Sequence, residues 1–405
     1  MNEYILKNGL KLVYKKTDSN LSSISIALDA GAGRDMKDKY GVAHATEHML
    51  YKGTLNRSEA QINKEFCDIF GFQNAMTNYP YVIYYGTLLS EDLDKGLELY
   101  ADLLINTTLG KTGFSEEMNV IKEELNEWDE ELEQFCEDRL FLNSYSKRRI
   151  KYPIIGIMDS LNNMRKEDIE AFYNNYYTPN NTTIVVISKK EFSEVIAIVE
   201  AYFAIWQKKE TIKVNEEYEE VQGGKYKDKR EGGNTAKVLI TYDISRLSYE
   251  ELKVLRVFNQ YFGEGMNSLL FDELRTKKGL VYDVLTRISN ENYIGLYKIT
   301  FSTSEKNVDE AINSANTIIE NINEKIDILS EKDILGLVKS LKLKRLFNEE
   351  QSIRLSNSMA MYDVMFGDYR IYLDEIEDLE KLTKENFKEI VKKVFIEQSI
   401  EVITK

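Results

Sequence analysis

The feature that most constrains this chain is a pattern that occurs twice. Met158–Ser188 (MDSLNNMRKEDIEAFYNNYYTPNNTTIVVIS) and Ile376–Thr404 (IEDLEKLTKENFKEIVKKVFIEQSIEVIT) each read as a capped amphipathic helix followed by a β-rich run. Leu161, Met164, Ile169 and Phe172 align with Leu379, Leu382, Phe387 and Ile390 at a constant offset of 218. A duplicated helix–strand unit in a chain of 405 residues implies two α+β domains of similar fold, each about half the chain. Between them Gln207–Asn234 is charged, contains glycine and is poor in apolar periodicity. That change of character divides the chain into an N-terminal domain 1–210, a linker 211–233 and a C-terminal domain 234–405.

Local signals fill in the first half. Tyr4–Leu6 and Leu10–Tyr14 flank Asn8-Gly9, a pair suited to a tight turn, and predict a hairpin. Ser22–Leu28 alternates like a third strand, and Gly41–Tyr51 has helical patterning. Ser58 with Gln61 forms a capping-box signature for a helix ending near Gly71. Strand-like runs follow at Phe72–Thr77 and Tyr81–Leu88, and Ser90, followed by Glu91 and Asp92, is expected to cap the next helix. A long acidic helix or helix pair is expected over Ser115–Tyr145, and Ile184–Ser188 as a buried strand.

The chain has only two histidines, and they sit four apart in His44-Ala45-Thr46-Glu47-His48. On a helix, positions i and i+4 project from one face, so both imidazoles can bind one ion. Zinc bound there lowers the pKa of its water to about 7, and a carboxylate at Glu47 can then take the proton. H-x-x-E-H is the reversed zincin signature. Catalytic zinc takes three protein ligands. With no third histidine, the third ligand should be Glu or Asp, and the acidic helix around Glu116–Glu124 is the natural source. There Glu117 and Glu124 lie two turns apart on one face, and Glu123 points elsewhere. Zinc, one ion per chain, is expected, although Mn²⁺ or Co²⁺ suit the same N,N,O set.

Gly41-Val42-Ala43-His44-Ala45-Thr46-Glu47-His48-Met49-Leu50-Tyr51-Lys52-Gly53-Thr54 resembles the zinc segment of the pitrilysin family of metallopeptidases, which includes the mitochondrial processing peptidases. The resemblance implies Glu124 as third ligand, Glu117 as a supporting glutamate and Glu47 as general base. Asn74-Ala75-Met76-Thr77 resembles the family's active-site strand, whose edge pairs with the substrate backbone by β-augmentation. Phe271–Tyr282 (FDELRTKKGLVY) resembles its Arg/Tyr segment, implying Arg275 and Tyr282 as donors to a substrate carbonyl and its oxyanion. Leu269, Glu264 and Ala45 depart from common family residues, which bears on substrate preference and leaves every proposed catalytic group in place. The resemblance further implies mostly antiparallel sheets packed with helices, making half of a clamshell. A second chain would complete the chamber, preferably as a homodimer, alternatively as a heterodimer with a paralogue. The activity implied is cleavage of peptides or flexible segments; the alternative is a catalytically silent peptide-binding or scaffold subunit.

Charge excludes one class of partner. With 68 acidic and 53 basic residues the net charge is −15, and nucleic acid binding needs clustered cations. No run has signal-peptide or membrane-spanning character, so a cytoplasmic protein without membrane contact is expected. Cys67 and Cys136 match no metal or redox spacing and are expected as reduced thiols.

Overall fold

The computed structural model describes all residues except 111–112, 129, 211–218, 231–234, 293 and 405. The chain forms two compact units, each assembled from three stretches. One comprises Met1–Glu127, Tyr152–Glu216 and Asn348–Leu373; the other comprises Trp128–Lys151, Glu217–Phe347 and Asp374–Lys405.

The first unit is built on a six-stranded sheet in the order β1-β2-β6-β3-β5-β4. The strands are β1 (Asn2–Ile5), β2 (Lys11–Lys16), β3 (Leu21–Leu28), β4 (Phe70–Thr77), β5 (Val82–Leu89) and β6 (Thr182–Ser188). β1 and β2 are the expected hairpin, turned at Gly9 with φ +91. In β3 the alternation noted in the sequence has a packing purpose. Ser23, Ser25 and Ala27 present small side chains to the helix Ser352–Phe366, whose Leu355, Met359 and Ala360 join Val13, Ala27, Ile83, Val185 and Ile187 in one core. Ser23 and Ser25 hydroxyls lie 2.7 and 2.8 Å from those of Ser352 and Ser356, which satisfies polar groups buried under that helix.

The other face of this sheet carries α1 (Val42–Leu50), α2 (Glu59–Ile69) and α3 (Leu93–Ile105), and α4 (Phe114–Trp128) follows α3 in the chain. The Ser58–Gln61 capping box opens α2 as expected. Ser90 differs from expectation. It begins a short 3-10 turn, Ser90–Asp92, and its hydroxyl accepts a 2.8 Å hydrogen bond from Ser22 instead of capping α3.

The second unit has a five-stranded sheet in the order β7-β11-β8-β10-β9. Its strands are β7 (Gly224–Lys229), β8 (Ala236–Asp243), β9 (Val281–Glu291), β10 (Ile294–Thr303) and β11 (Gln398–Thr404). One face packs on the helices Tyr249–Phe262 and Lys384–Val394 through Phe258, Phe262, Tyr297 and Phe387. The other is met by α5 (Leu132–Ser144), whose Cys136 and Leu140 pack on Leu239 and Ile403. The acidic stretch is thus a helix pair, α4 and α5. The segment read as a linker contains β7, an edge strand parallel to β11; residues 211–218 and 231–233 of it lie outside the described residues.

The repeat is visible in both units. The helix Lys166–Tyr176 maps residue for residue onto Lys384–Val394 at the offset of 218. β6 lies parallel to β2 and antiparallel to β3, just as β11 lies parallel to β7 and antiparallel to β8. Two features cross the linear division at 211–233: α5 belongs to the second unit and the helix Ser352–Phe366 to the first. Both cysteines are free thiols, Cys67 exposed and Cys136 buried. Among the described residues no helix is long and apolar enough to cross a membrane.

Candidate metal centre

The centre begins at the start of α1. Gly41 adopts φ +94, and a Cβ there would lie 2.3 Å from the carbonyl oxygen of Ile155, so only glycine fits. Asp35 then caps the helix: its carboxylate accepts hydrogen bonds from Gly41 N (2.7 Å) and Ala43 N (2.9 Å). The cap fixes the direction of α1, and His44 and His48 emerge one turn apart with ring centroids separated by 4.5 Å.

Glu124 comes to this pair from α4. Its Oε1 lies 3.9 Å from His44 Nε2 and its Oε2 3.8 Å from His48 Nε2. One ligand atom from each of the three residues lies within 4.8 Å of the others, close enough for one ion to meet all three. The donor set of two imidazoles and a carboxylate is of the kind that binds zinc. Glu117, two turns earlier on α4, sits behind His48 with Oε1 2.8 Å from Nδ1 and Oε2 2.7 Å from Lys52 Nζ. Such carboxylate–histidine contacts orient a ligating ring. Glu123 is exposed on another face.

The electrostatics suit a cation. Burial, with the neighbouring His48, pushes His44 down to about 3, so its ring is neutral and free to donate a lone pair. Burial opposes charge on His48 too, but its bond to Glu117 and the nearby Glu47 and Glu124 carboxylates outweigh this and raise it. Glu117 is held at about 2, chiefly by its bond to His48 and also by Lys52. Burial raises Glu124, and the charges of Glu117 and Glu127 add to that against the pull of His48.

Glu47 is buried beside the trio, and its Oε2 accepts a 2.7 Å hydrogen bond from the Thr77 hydroxyl. Burial pushes its carboxyl up, with the Thr77 hydroxyl pulling the other way. Thr77 ends β4, the outermost strand of its sheet, whose free edge also presents Asn74 and Ala75. Asn74 is exposed, and its Oδ1 accepts from Ala75 N at 2.9 Å.

Arg275 and Tyr282 belong to the second unit. Arg275 lies on a seven-residue π-helical segment, Phe271–Lys277, with its guanidinium 5.1 Å from the Phe271 ring centre. Tyr282 is exposed near the start of β9, an edge strand. Leu269 packs against the core of this unit, and Glu264 accepts hydrogen bonds from Gln260 (2.5 Å) and Lys344 (2.9 Å). Sequence reasoning did not single out Asp35, Lys52 or Thr77. Lys52 and Thr77 lie within the Gly41–Thr54 and Asn74–Thr77 segments, yet no pattern in the sequence sets either apart.

Two helix-backed sheets, with an H-x-x-E-H helix facing a glutamate from a second helix, define the class: the inverted-motif metallopeptidase fold. Residues 11–157 match the family profile described as Insulinase (Peptidase family M16), and residues 163–338 that described as Peptidase M16 inactive domain. The chain belongs to the M16 (insulinase/pitrilysin) family. An uncharacterized zinc protease of Rickettsia felis is 26% identical over 365 residues, covering 90% of this chain and 87% of that protein. The uncharacterized zinc protease YmxG of Bacillus subtilis is 23% identical over 398 residues, covering 98% and 96%. The mitochondrial-processing peptidase subunit beta of Blastocladiella emersonii is 29% identical over 202 residues, covering 49% and 43%. Among solved structures, a protease from Helicobacter pylori superposes with a TM-score of 0.91 at 20% identity, covering 100% of this chain and 99% of that one.

Proposed function

We propose that this chain is a zinc-dependent endopeptidase acting on peptides or flexible, unfolded segments. The observation that carries this is the meeting of His44, His48 and Glu124 donor atoms within 4.8 Å, with the buried Glu47 carboxylate alongside. A zinc ion held by these residues would supply Lewis acidity, lowering the pKa of water to about 7 and polarising the scissile carbonyl. Glu47, with one oxygen held by Thr77, has the other to take a proton from the attacking water and pass it to the leaving amine. The outer edge of β4 around Asn74 and Ala75 can pair with the backbone of an extended peptide, with the Ala75 N–H exchanging Asn74 Oδ1 for a substrate carbonyl, giving affinity with little demand on side chains.

We assign Arg275 and Tyr282 to the substrate carbonyl and its developing negative charge, on the resemblance of their segment and the donor chemistry of both groups. In this reading a second copy completes a chamber that admits unfolded chains, and the pair serves the partner copy's site. Replacing Glu47 by Gln tests the mechanism. Cleavage of a peptide mixture should fall by at least about 100-fold while zinc content is kept; undiminished turnover in a zinc-loaded variant would end it.

A second reading, a peptide-binding subunit without catalysis, draws on the description of the profile matched by residues 163–338 as an inactive domain. The ligand trio and Glu47 fall in the other matched region, 11–157, which favours the enzyme. Sedimentation of the protein expressed alone distinguishes a homodimer from a chain awaiting a paralogous partner.

A further inference from the structure

His44 and His48 project one turn apart from α1, and Lys52, two residues beyond its end, is joined to the second of them through Glu117. Lys52 Nζ is 2.7 Å from Glu117 Oε2 and 2.8 Å from Glu59 Oε1. The Lys52 and Glu117 side chains are only 15% and 12% exposed, so this is not a solvated pair of negligible weight.

The arrangement matters because α4 offers two glutamates to one histidine. Glu117 and Glu124 share a face two turns apart, and both approach His48, one at Nδ1 and the other at Nε2. A ring bonded to a carboxylate at Nδ1 keeps its proton there and presents its lone pair at Nε2. Glu117 performs that task only while its carboxylate stays on the Nδ1 side, and the partner that holds its second oxygen there is Lys52.

We propose that Lys52 is a positioning residue of the metal centre, which pins Glu117 behind His48 and so leaves Glu124 as the carboxylate that completes the ligand set. This rests on the reading of His44, His48 and Glu124 as a metal site.

The test is zinc affinity, independent of peptide cleavage. The full chain, stripped of metal, is titrated with Zn²⁺ against a competing chromogenic chelator. Lys52→Met should weaken binding about 10-fold, the lower end for an outer-shell partner, and Lys52→Arg should stay within about threefold. Glu117→Gln should weaken it about 10- to 100-fold. The Lys52→Met/Glu117→Gln double variant should bind no more weakly than Glu117→Gln alone, because Lys52 acts through Glu117. Lys52→Met binding as tightly as the unaltered chain, or a double variant whose loss is the product of the two single losses, overturns the proposal. Should Lys52→Met fail to fold by circular dichroism, Lys52→Gln decides: its shorter amide cannot replace the ammonium, and undiminished affinity rejects the role. Absence of zinc binding by the unaltered chain would instead overturn the metal-site reading.

Discussion

The Thr77 hydroxyl donates a 2.7 Å hydrogen bond to Glu47 Oε2, and both side chains are buried. It joins the last residue of the edge strand β4 to the carboxylate proposed as base. Thr77→Val keeps the shape and removes the donor, leaving a buried carboxylate oxygen short of a partner. We expect a stability loss of about 1–3 kcal/mol by thermal melting, and a fall in peptide turnover on the order of 10-fold or more from misplacement of the base. Thr77→Ser should restore most of both. Equal turnover in the Val and Ser variants would remove the hydroxyl from the mechanism.

Zinc should raise the melting temperature of the metal-free protein. A ligand that binds only the folded state stabilises by about 2.7 kcal/mol at 100 times its dissociation constant. Glu124→Ala should abolish most of this gain while hardly altering the metal-free melting point, since the Glu124 side chain is 39% exposed. A full zinc-induced shift in Glu124→Ala would exclude it from the ligand set.

Gly41 tests how the centre is held. Its φ of +94 and the 2.3 Å approach that a Cβ would make to Ile155 O predict that Gly41→Ala costs about 2–4 kcal/mol. Because α1 starts there, zinc affinity should fall as well. Denaturant unfolding and the chelator titration measure the two effects, and an Ala variant unchanged in both contradicts the account.

Glu401 predicts a pH dependence remote from the metal. It is fully buried in β11, its Oε2 accepts from Asn143 at 2.9 Å, and Asp228 accepts from the same amide at 3.0 Å. Burial, with Asp228 adding to it, raises the carboxyl to about 7 against the pull of Asn143 and Arg139. The unfolded chain releases this proton near pH 4.3. Between those values the folded state holds more protons, so the contribution present below about pH 4.3 is lost as pH rises through 7, up to about 3 kcal/mol. Glu401→Gln should therefore raise the melting temperature at pH 8 more than at pH 5. A variant whose gain is the same at both values contradicts the assignment.

The parts of this structure that the chain announces are those governed by neighbours in sequence. Asn8-Gly9 makes its hairpin, Ser58 and Gln61 make their capping box, and the 218-residue offset carries one helix onto another. His44 and His48 converge because one turn of helix requires it. What could not be read depends on distant partners. Ser90 looks like a cap but is claimed by Ser22 across the sheet. β7 alternates charged residues along an edge, where only one flank needs a partner, and so resembles a linker. The helix Ser352–Phe366 meets its sheet partly through serine hydroxyls, which no apolar stripe reveals. Thr77 and Lys52 look ordinary until the fold sets Glu47 and Glu117 beside them.

Each compact unit borrows a segment from the far side of the linear boundary, and synthesis from the N-terminus gives that exchange a timetable. When residue 216 is added to the chain, the sheet of the first unit is fully made, yet the helix that covers Ala27, Ile83 and Val185, beginning at Ser352, is more than 130 residues from being translated. α5 meanwhile waits for β8 and β11, the latter ending at Thr404. The nascent chain must carry one apolar face uncovered until the helix Ser352–Phe366 is made and another until β11 is made, so neither unit can be a self-sufficient folding intermediate before then.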